Sequence, residues 1–385
     1  MKKSRGRSNR GMAASTEARK SSHILTTLQK PVQFKTKTTG FEEIELVHAA
    51  LPEVDMKSIS VETKFLGHRL SAPIIIESMT GGTQQAARLN GLMAGAAERH
   101  HLAIGVGSQR AAIENPALRY TYEVVREAAP TVPVFANLGG PQLVRGYDLG
   151  RVKEAVDMIR ADGLYLHLNS LQEAVQVEGQ PDFEGVLDKL SDLTDRLDVP
   201  VIVKETGAGI PGPWSRLLEE AGIKGIDVAG AGGTSWSAVE YWRAVEKGSF
   251  IHERLGETFW DWGIPTAASI VEVANSCSLP IIASGGIRNG LHGAKALALG
   301  ASLFGLALPI LRSANLGPSH IDKLVESVIA ELKTAAFLTG SRTMDDLRSA
   351  PVVIMGRTRE WLEARGYKAA TYGVRSLRLS PRVEI

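Results

Sequence analysis

The sequence predicts a (β/α)8 TIM barrel. Eight short apolar runs recur along the chain, a stretch with helical periodicity follows each, and polar or glycine-rich residues stand where the runs end. The runs begin near Pro73 (PIIIESM), Leu102 (LAIGVGS), Val132 (VPVFANLG), Gly163 (GLYLHLN), Val199 (VPVIVKE), Gly225 (GIDVAG), Leu279 (LPIIASGG) and Leu303 (LFGLALP). They are continuously apolar rather than alternating, which suits parallel strands buried on both faces. Amphipathic segments such as 84–100, 149–161, 183–197 and 290–299 supply the crossover helices. The first turn reads MTGGT, not GxGxxG, so the pattern favours a closed barrel over an open dinucleotide-binding sheet.

Run starts are spaced by about 30 residues except between the sixth and seventh, where a stretch over 231–264, rich in Gly, Trp and charge, lengthens the gap to about 54. Its length predicts a functional or mobile loop. One catalytic domain is expected over 19–367: an N-terminal segment 19–72, the barrel 73–340 and a C-terminal helical segment 341–367. A basic flexible tail, 1–18, and a patternless tail, 368–385, flank it.

The net charge of +2 hides an asymmetry, because residues 1–20 hold seven Lys and Arg against Glu17 alone and the rest of the chain is net acidic. Such a body argues against nucleic acid as a partner. No apolar stretch matches a secretory signal or a bilayer span, so an unexported, cytoplasmic chain without membrane partners is expected. The single Cys277 excludes an intrachain disulfide and any multi-cysteine metal site, and reads as packed helix rather than nucleophile.

Active sites of such barrels lie at the C-terminal strand ends, and here those ends are polar. They carry Ser78-Met79-Thr80-Gly81-Gly82, Gly107-Ser108-Gln109-Arg110, Asn137, then His167, Asn169, Gln172 and Glu173, and Lys204-Glu205-Thr206-Gly207. The last two runs end in Ser284-Gly285-Gly286-Ile287-Arg288-Asn289-Gly290 and Gly305-Leu306-Ala307-Leu308-Pro309. Glycine lets backbone N–H groups approach an anion, and a following helix N-terminus adds a favourable dipole. With Thr234 and the AGAGG turn beside it, this end predicts a phosphate-bearing cofactor rather than a turn that merely needs glycine. Lys204 closes a buried strand (VIVK), where an unpartnered ammonium is costly, and so should meet an anion. The N1 region of a reduced flavin would serve, and the competing reading is a salt bridge to Glu205 or another carboxylate. A lone Glu173 suits Mg²⁺ only if substrate phosphates complete the shell; otherwise it is a solvated turn residue.

Taken in order, the motifs RKSSHI (19–24), TGFEEIELVHAALPEVD (39–55), SMTGG, GVGSQR, ANLG, HLNSLQEAVQ (167–176), VKETGAG, DVAGAGGTSW, ASGGIRNG and GLALPIL resemble the type 2 isopentenyl-diphosphate delta-isomerase family, from Arg19 to about Gly366. GGIR is shared with other FMN barrels, whereas HLNxxQE with GGTSW and an N-terminal RKxxHI is specific. The resemblance implies an FMN-dependent barrel that interconverts isopentenyl and dimethylallyl diphosphate without net redox. FMN in its reduced form would be the acid and base, NADPH the reductant, Mg²⁺ a further cofactor, and the assembly a homo-oligomer, tetramer or octamer. It implies FMN contacts at Met79, Thr80, Gly81, Ser108, Asn137, Lys204, Thr234, Gly285, Gly286, Ile287, Arg288 and Ala307. Diphosphate contacts fall on Arg19, Lys20, His23, Ser108, Gln109 and Arg110, substrate contacts also on Asn169 and Gln172, and the Mg²⁺ ligand is Glu173. Among the catalytic candidates Gln172, Glu240, His167, Lys204 and Trp236, Trp236 reads as an aromatic wall or core packing. Glu240, one helical turn on, is a proton-transfer aid, and His167 positions more than it reacts.

The alternative is an FMN-dependent 2-hydroxy-acid oxidase or dehydrogenase, which needs a His-Gly-Gly-Arg turn after the sixth strand. This chain has Ala231-Gly232-Gly233-Thr234 there. An IMP-dehydrogenase-like barrel would need a loop cysteine, and Cys277 is expected on the helix before the seventh strand. A non-catalytic flavin or phosphate sensor would have little use for Gln172, Glu173 and the Arg19-Lys20 pair.

Overall fold

The computed structural model describes residues 19–375. The tail expected at 1–18 and residues 376–385 lie outside the described residues. Eight parallel strands close into a barrel: β1 Ile74–Ile76, β2 Ala103–Gly105, β3 Val134–Gly139, β4 Gly163–His167, β5 Val201–Lys204, β6 Gly225–Asp227, β7 Ile281–Ala283 and β8 Leu303–Leu306. Each pairs with its sequence neighbours, and β8 returns to β1 with Leu306 opposite Ile76. The fold class read from the sequence is the one observed. The register levels the chemistry, because His167 stands opposite Lys204 and Lys204 opposite Asp227 on adjacent strands.

Two apolar layers hold the barrel. Ile75, Ala103, Phe135, Tyr165, Ile202, Ile282 and Leu303 point inward and pack with Phe65 and Leu70. Those two come from a hairpin, Thr63–Phe65 with His68–Leu70, that plugs the N-terminal mouth. Its two-residue turn has both φ values positive, 46° at Leu66 and 88° at Gly67, the hand that matches strand twist. Burying Phe65 and Leu70 contributes about 1.5–3 kcal/mol each. The second layer joins the outward strand faces to the helices.

The flanking segments belong to the same body. Ile44–Leu46 pairs antiparallel with Val352–Ile354, tying the two ends of the described chain together. Docking continues beyond the expected boundary at 367. Tyr372 is buried, its hydroxyl accepts from Asn275 Nδ2 at 3.0 Å, and Arg375 Nη1 donates to the Ala298 carbonyl at 2.6 Å, so residues 368–375 are not a tail.

The 231–264 stretch is not a long irregular loop. Helix Trp236–Lys247 starts at Ser235, whose hydroxyl accepts from Ala238 N, and stops at Gly248 with φ 65°. A second helix, Phe250–Thr258, packs on it. Cys277 lies in the turn after helix Thr266–Ala274 rather than on it, half-buried and with a free thiol. Among the described residues no helix is long and apolar enough to cross a membrane.

Candidate active site

A cavity of about 260 Å³ opens at the C-terminal ends of the strands, under a helix over 19–29 that we label α1. Its far wall is built from two interlocked glycine turns. Gly285 (φ 95°) and Gly286 (φ 76°) adopt the left-handed conformation after β7. A Cβ on Gly233 would sit 2.5 Å from the Gly286 backbone nitrogen, so the turns after β6 and β7 can touch only as glycines. Thr234, Ile287, Arg288 and Ala307 line the same wall, and helix Leu308–Leu316 begins there with Ala307 as its N-cap. Burial and neighbouring Arg312 depress the Arg288 guanidinium from its ordinary value. Backbone N–H groups, a helix N-terminus and a cation thus converge on one end, a fit for a phosphate group.

The floor carries the strand-end polar residues. His167 Nδ1 donates to Asn137 Oδ1 at 2.7 Å, leaving Nε2 with its lone pair. Burial, then Lys204 and Lys20, lower His167 to about 3, so the ring is neutral. Lys204 is buried, and its Nζ donates to the Glu205 carbonyl at 2.8 Å and lies 3.7 Å from both Glu77 and Asp227. Burial acts to lower Lys204, but Asp227, Glu77 and Glu205 outweigh it and raise it. The salt-bridge reading is therefore half right: carboxylates hold Lys204 from below while it lines the cavity above. The Glu205 carboxylate turns away to accept from the Thr206, Gly207 and Ala208 amides at 2.5–2.6 Å.

The mouth is cationic. Lys20 Nζ donates to the Ser108 carbonyl at 2.7 Å and to the Tyr122 hydroxyl at 2.8 Å. Burial, then Arg19 and Arg110, lower Lys20 to about 7. Arg19 is lowered by burial and by Arg110, and Arg110 holds Glu114 at 2.7 Å. Three cations crowded on one another await a multiply charged anion. Gln109 does not join them. Fully buried, it donates to the Ala155 carbonyl at 2.7 Å and accepts from Asn137 N at 2.9 Å, bracing strands instead of facing the cavity as expected.

On the third side, His23 Nε2 donates to Glu240 Oε1 at 2.9 Å and Gln172 Nε2 donates to the same oxygen at 3.0 Å. Arg243 grips the other oxygen and reaches Glu178 at 3.0 Å. Burial acts to raise Glu240, but His23, Arg243 and Gln172 prevail and hold it at about 2. Glu240 does not line the cavity; it stands behind His23 and Gln172, which do. Trp236 meets the His23 ring edge-on at 5.2 Å and forms a cavity wall, while it also packs against the buried cluster of Val32, Ala238, Val239 and Trp260, so it serves both as wall and as core packing. Asn169 Nδ2 donates to Gln172 Oε1 at 3.3 Å and to Glu173 Oε1 at 3.0 Å. Glu173 also lines the cavity. Among the described residues no group of three or more His, Cys, Asp or Glu is gathered to hold a metal, so any ion here takes most of its ligands from elsewhere.

Every residue expected at the site except Gln109 and Glu240 lines this one cavity, including Met79, Thr80, Gly81 and Ser108. Sequence reasoning passed over Glu77, Asp227, Tyr122, Arg243 and Glu178. An acidic residue ending a strand beside the VIVK strand was the available signal for Asp227.

Fold and cradle together define a flavin-mononucleotide barrel: the family model described as FMN-dependent dehydrogenase matches residues 153–354. The solved structures agree on the fold, among them a lactate oxidase of Pediococcus acidilactici (TM-score 0.64, 16% identity, 89% of this chain and 94% of that one). A mandelate oxidase is similar too (TM-score 0.59, 15% identity, 89% and 99%). Sequence similarity narrows the class. The isopentenyl-diphosphate delta-isomerase of Methanothermobacter thermautotrophicus is 46% identical over 93% of this chain and 99% of its own. That of Pyrococcus furiosus is 46% identical over 91% and 90%. The chain belongs to the isopentenyl-diphosphate delta-isomerase family.

Proposed function

We propose that this chain interconverts isopentenyl diphosphate and dimethylallyl diphosphate by moving a proton along the alkene, with no net redox. The observation that carries the reading is the position of the Arg19–Lys20–Arg110 cluster at the mouth of a flavin cradle, where a 2-hydroxy-acid oxidase would need a histidine base and an arginine after β6 and this chain has Ala231-Gly232-Gly233-Thr234. The activity for which the relatives are named supports it.

The chain's own residues divide the work. Arg19, Lys20, His23, Ser108 and Arg110 hold the diphosphate, and Asn169 and Gln172 orient the hydrocarbon end. Glu173 would ligate a Mg²⁺ ion, with the substrate diphosphate and water supplying the remaining oxygens. Met79, Thr80, Gly81, Asn137, Thr234, Ala307 and the Gly285-to-Arg288 turn hold FMN. When bound and reduced, FMN supplies an electron-rich face and acid–base atoms for an alkene that ordinary carboxylic acids protonate poorly. Lys204, which lines the cavity, would present its ammonium to the bound flavin. His167, locked by Asn137, accepts a hydrogen bond through Nε2 rather than exchanging a proton. Trp236 walls the hydrocarbon, and α1 excludes water. Glu240 acts through Gln172 and His23, fixing the amide and keeping the proton on His23 Nε2.

In this reading NADPH is the reductant, the catalytic domain takes in 19–367 together with the docked residues 368–375, and the protein works in the cytoplasm as a homo-oligomer, a tetramer or octamer. Nucleic acid and membranes have no part in it. Anaerobic incubation with isopentenyl diphosphate, Mg²⁺ and FMN, with and without dithionite, followed by proton NMR, tests the activity. Dimethylallyl diphosphate should appear only with reduced flavin; consumption of a 2-hydroxy acid with oxidised flavin instead would favour the oxidase.

A further inference from the structure

Beneath Lys204 the barrel interior holds a cluster that the proposed reaction leaves unused. Glu77 follows β1 and Asp227 ends β6, both buried. Each lies 3.7 Å from Lys204 Nζ, outside the roughly 2.7–3.2 Å of a direct hydrogen bond. Both Glu77 carboxyl oxygens and Asp227 Oδ2 lack a donor, as do the neighbouring Ser78 Oγ and Tyr165 hydroxyl a partner. Both acids flank one ammonium at 3.7 Å, and ionised carboxylates only accept, so two of them charged side by side would set acceptor against acceptor in a buried setting. One retained proton removes the conflict: the O–H of one carboxyl donates to the other.

The donors decide which carboxyl keeps it. Asp227 Oδ1 already accepts from Ser284 Oγ at 2.6 Å and from Ala229 N at 3.3 Å, whereas neither Glu77 carboxyl oxygen has a side-chain donor. Burial, then Asp227, push Glu77 up to about 8. Tyr165, lifted well above its ordinary value by burial and these acids, stays neutral.

We propose that Glu77 and Asp227 share one proton, so that a single negative charge faces Lys204, and that this pair is a positioning device that sets the reduction potential of a flavin bound over the lysine. This rests on the reading of the cavity as an FMN site. Were both carboxylates ionised, the net charge beneath the flavin would be −1 with Lys204 included, and the reduced anionic form would be disfavoured.

The test is spectroelectrochemical titration of the flavin-loaded full chain as wild type, Glu77→Gln, Asp227→Asn and the double variant. Either amide still donates to the remaining carboxylate, so each single variant should keep the wild-type potential. The double variant loses the last negative charge and should bind reduced over oxidised flavin at least about tenfold more tightly than wild type, about 30 mV for a two-electron couple. Equal rises in both single variants that sum in the double would show two ionised carboxylates and overturn the proposal, as would an unchanged double. If the double does not fold, infrared spectra decide: a protonated-carboxyl band at neutral pH, present in wild type and lost in Glu77→Gln, is expected, and its absence from wild type overturns the pairing. A wild type that binds no flavin would sink the cofactor reading itself, and this inference with it.

Discussion

His23 and Glu240, 217 residues apart in sequence, meet at 2.9 Å, and the same Glu240 oxygen accepts from Gln172 at 3.0 Å. The carboxylate thereby joins α1 to the short helix Ser170–Val175 that follows β4 through one buried charge. Glu240→Gln keeps the shape and removes that charge. Flavin affinity should persist while kcat falls by about 10²-fold or more, measured on the flavin-loaded enzyme at saturating substrate. Held at about 2 and thus below its unfolded value, Glu240 contributes stability that is fully present above the ordinary carboxylate range and lost as pH falls through about 2.

Lys20, lowered to about 7, gives the diphosphate site a pH dependence. An anion favours the charged ammonium, so above pH 7 binding must take up a proton and KM should rise by up to about tenfold per pH unit. Lys20→Met should raise KM at neutral pH and abolish that rise. Arg110→Lys, which loses the planar fork, should also raise KM about tenfold or more.

His167 predicts a stability effect of opposite sense to a surface histidine's. Its folded value of about 3 lies below the unfolded 6.5, so the unfolded chain binds the extra proton in that window. Stability should therefore fall as pH drops from about 6.5 toward 3. Denaturant midpoints for wild type and His167→Gln over this range should converge as pH falls; parallel curves would remove His167 from the account.

The barrel was legible because each β-branched run between glycine or polar turns is long enough to be a strand and too short to be a helix. The cofactor end was legible for a related reason: SGGIR and AGAGG can pack backbone against backbone only where side chains are missing. Side-chain direction at single strand ends was not. Ser108 and Arg110 face the cavity while Gln109 between them turns to Ala155, a difference set by the local turn rather than by residue type. Glu77 and Asp227 were hidden inside the strings PIIIESM and GIDVAG, where their meaning depends on the register that sets Asp227 opposite Lys204. The helices within 231–264 were masked by aromatic and charged residues that pack on α1's following segment, as in the bond from Trp260 Nε1 to the Gln33 carbonyl.

Gly233→Ala probes the cradle. Its Cβ would lie 2.5 Å from the Gly286 nitrogen, and neither backbone can yield without opening the turn. FMN affinity should drop by about tenfold or more, read by fluorescence titration, with the far-ultraviolet circular dichroism unchanged.

Glu173→Gln removes the one carboxylate assigned to Mg²⁺. Stimulation of turnover by added Mg²⁺ should be lost while flavin affinity stays at the wild-type value. Undiminished stimulation would place the ion elsewhere.

The most direct measurement of the central claim is turnover of isopentenyl diphosphate in D₂O with the flavin pre-reduced under anaerobic conditions, followed by NMR and flavin absorbance together. The account predicts dimethylallyl diphosphate carrying solvent deuterium in its new methyl group, over many turnovers, with the flavin still reduced at the end. Product formed with one flavin oxidised per turnover would contradict it.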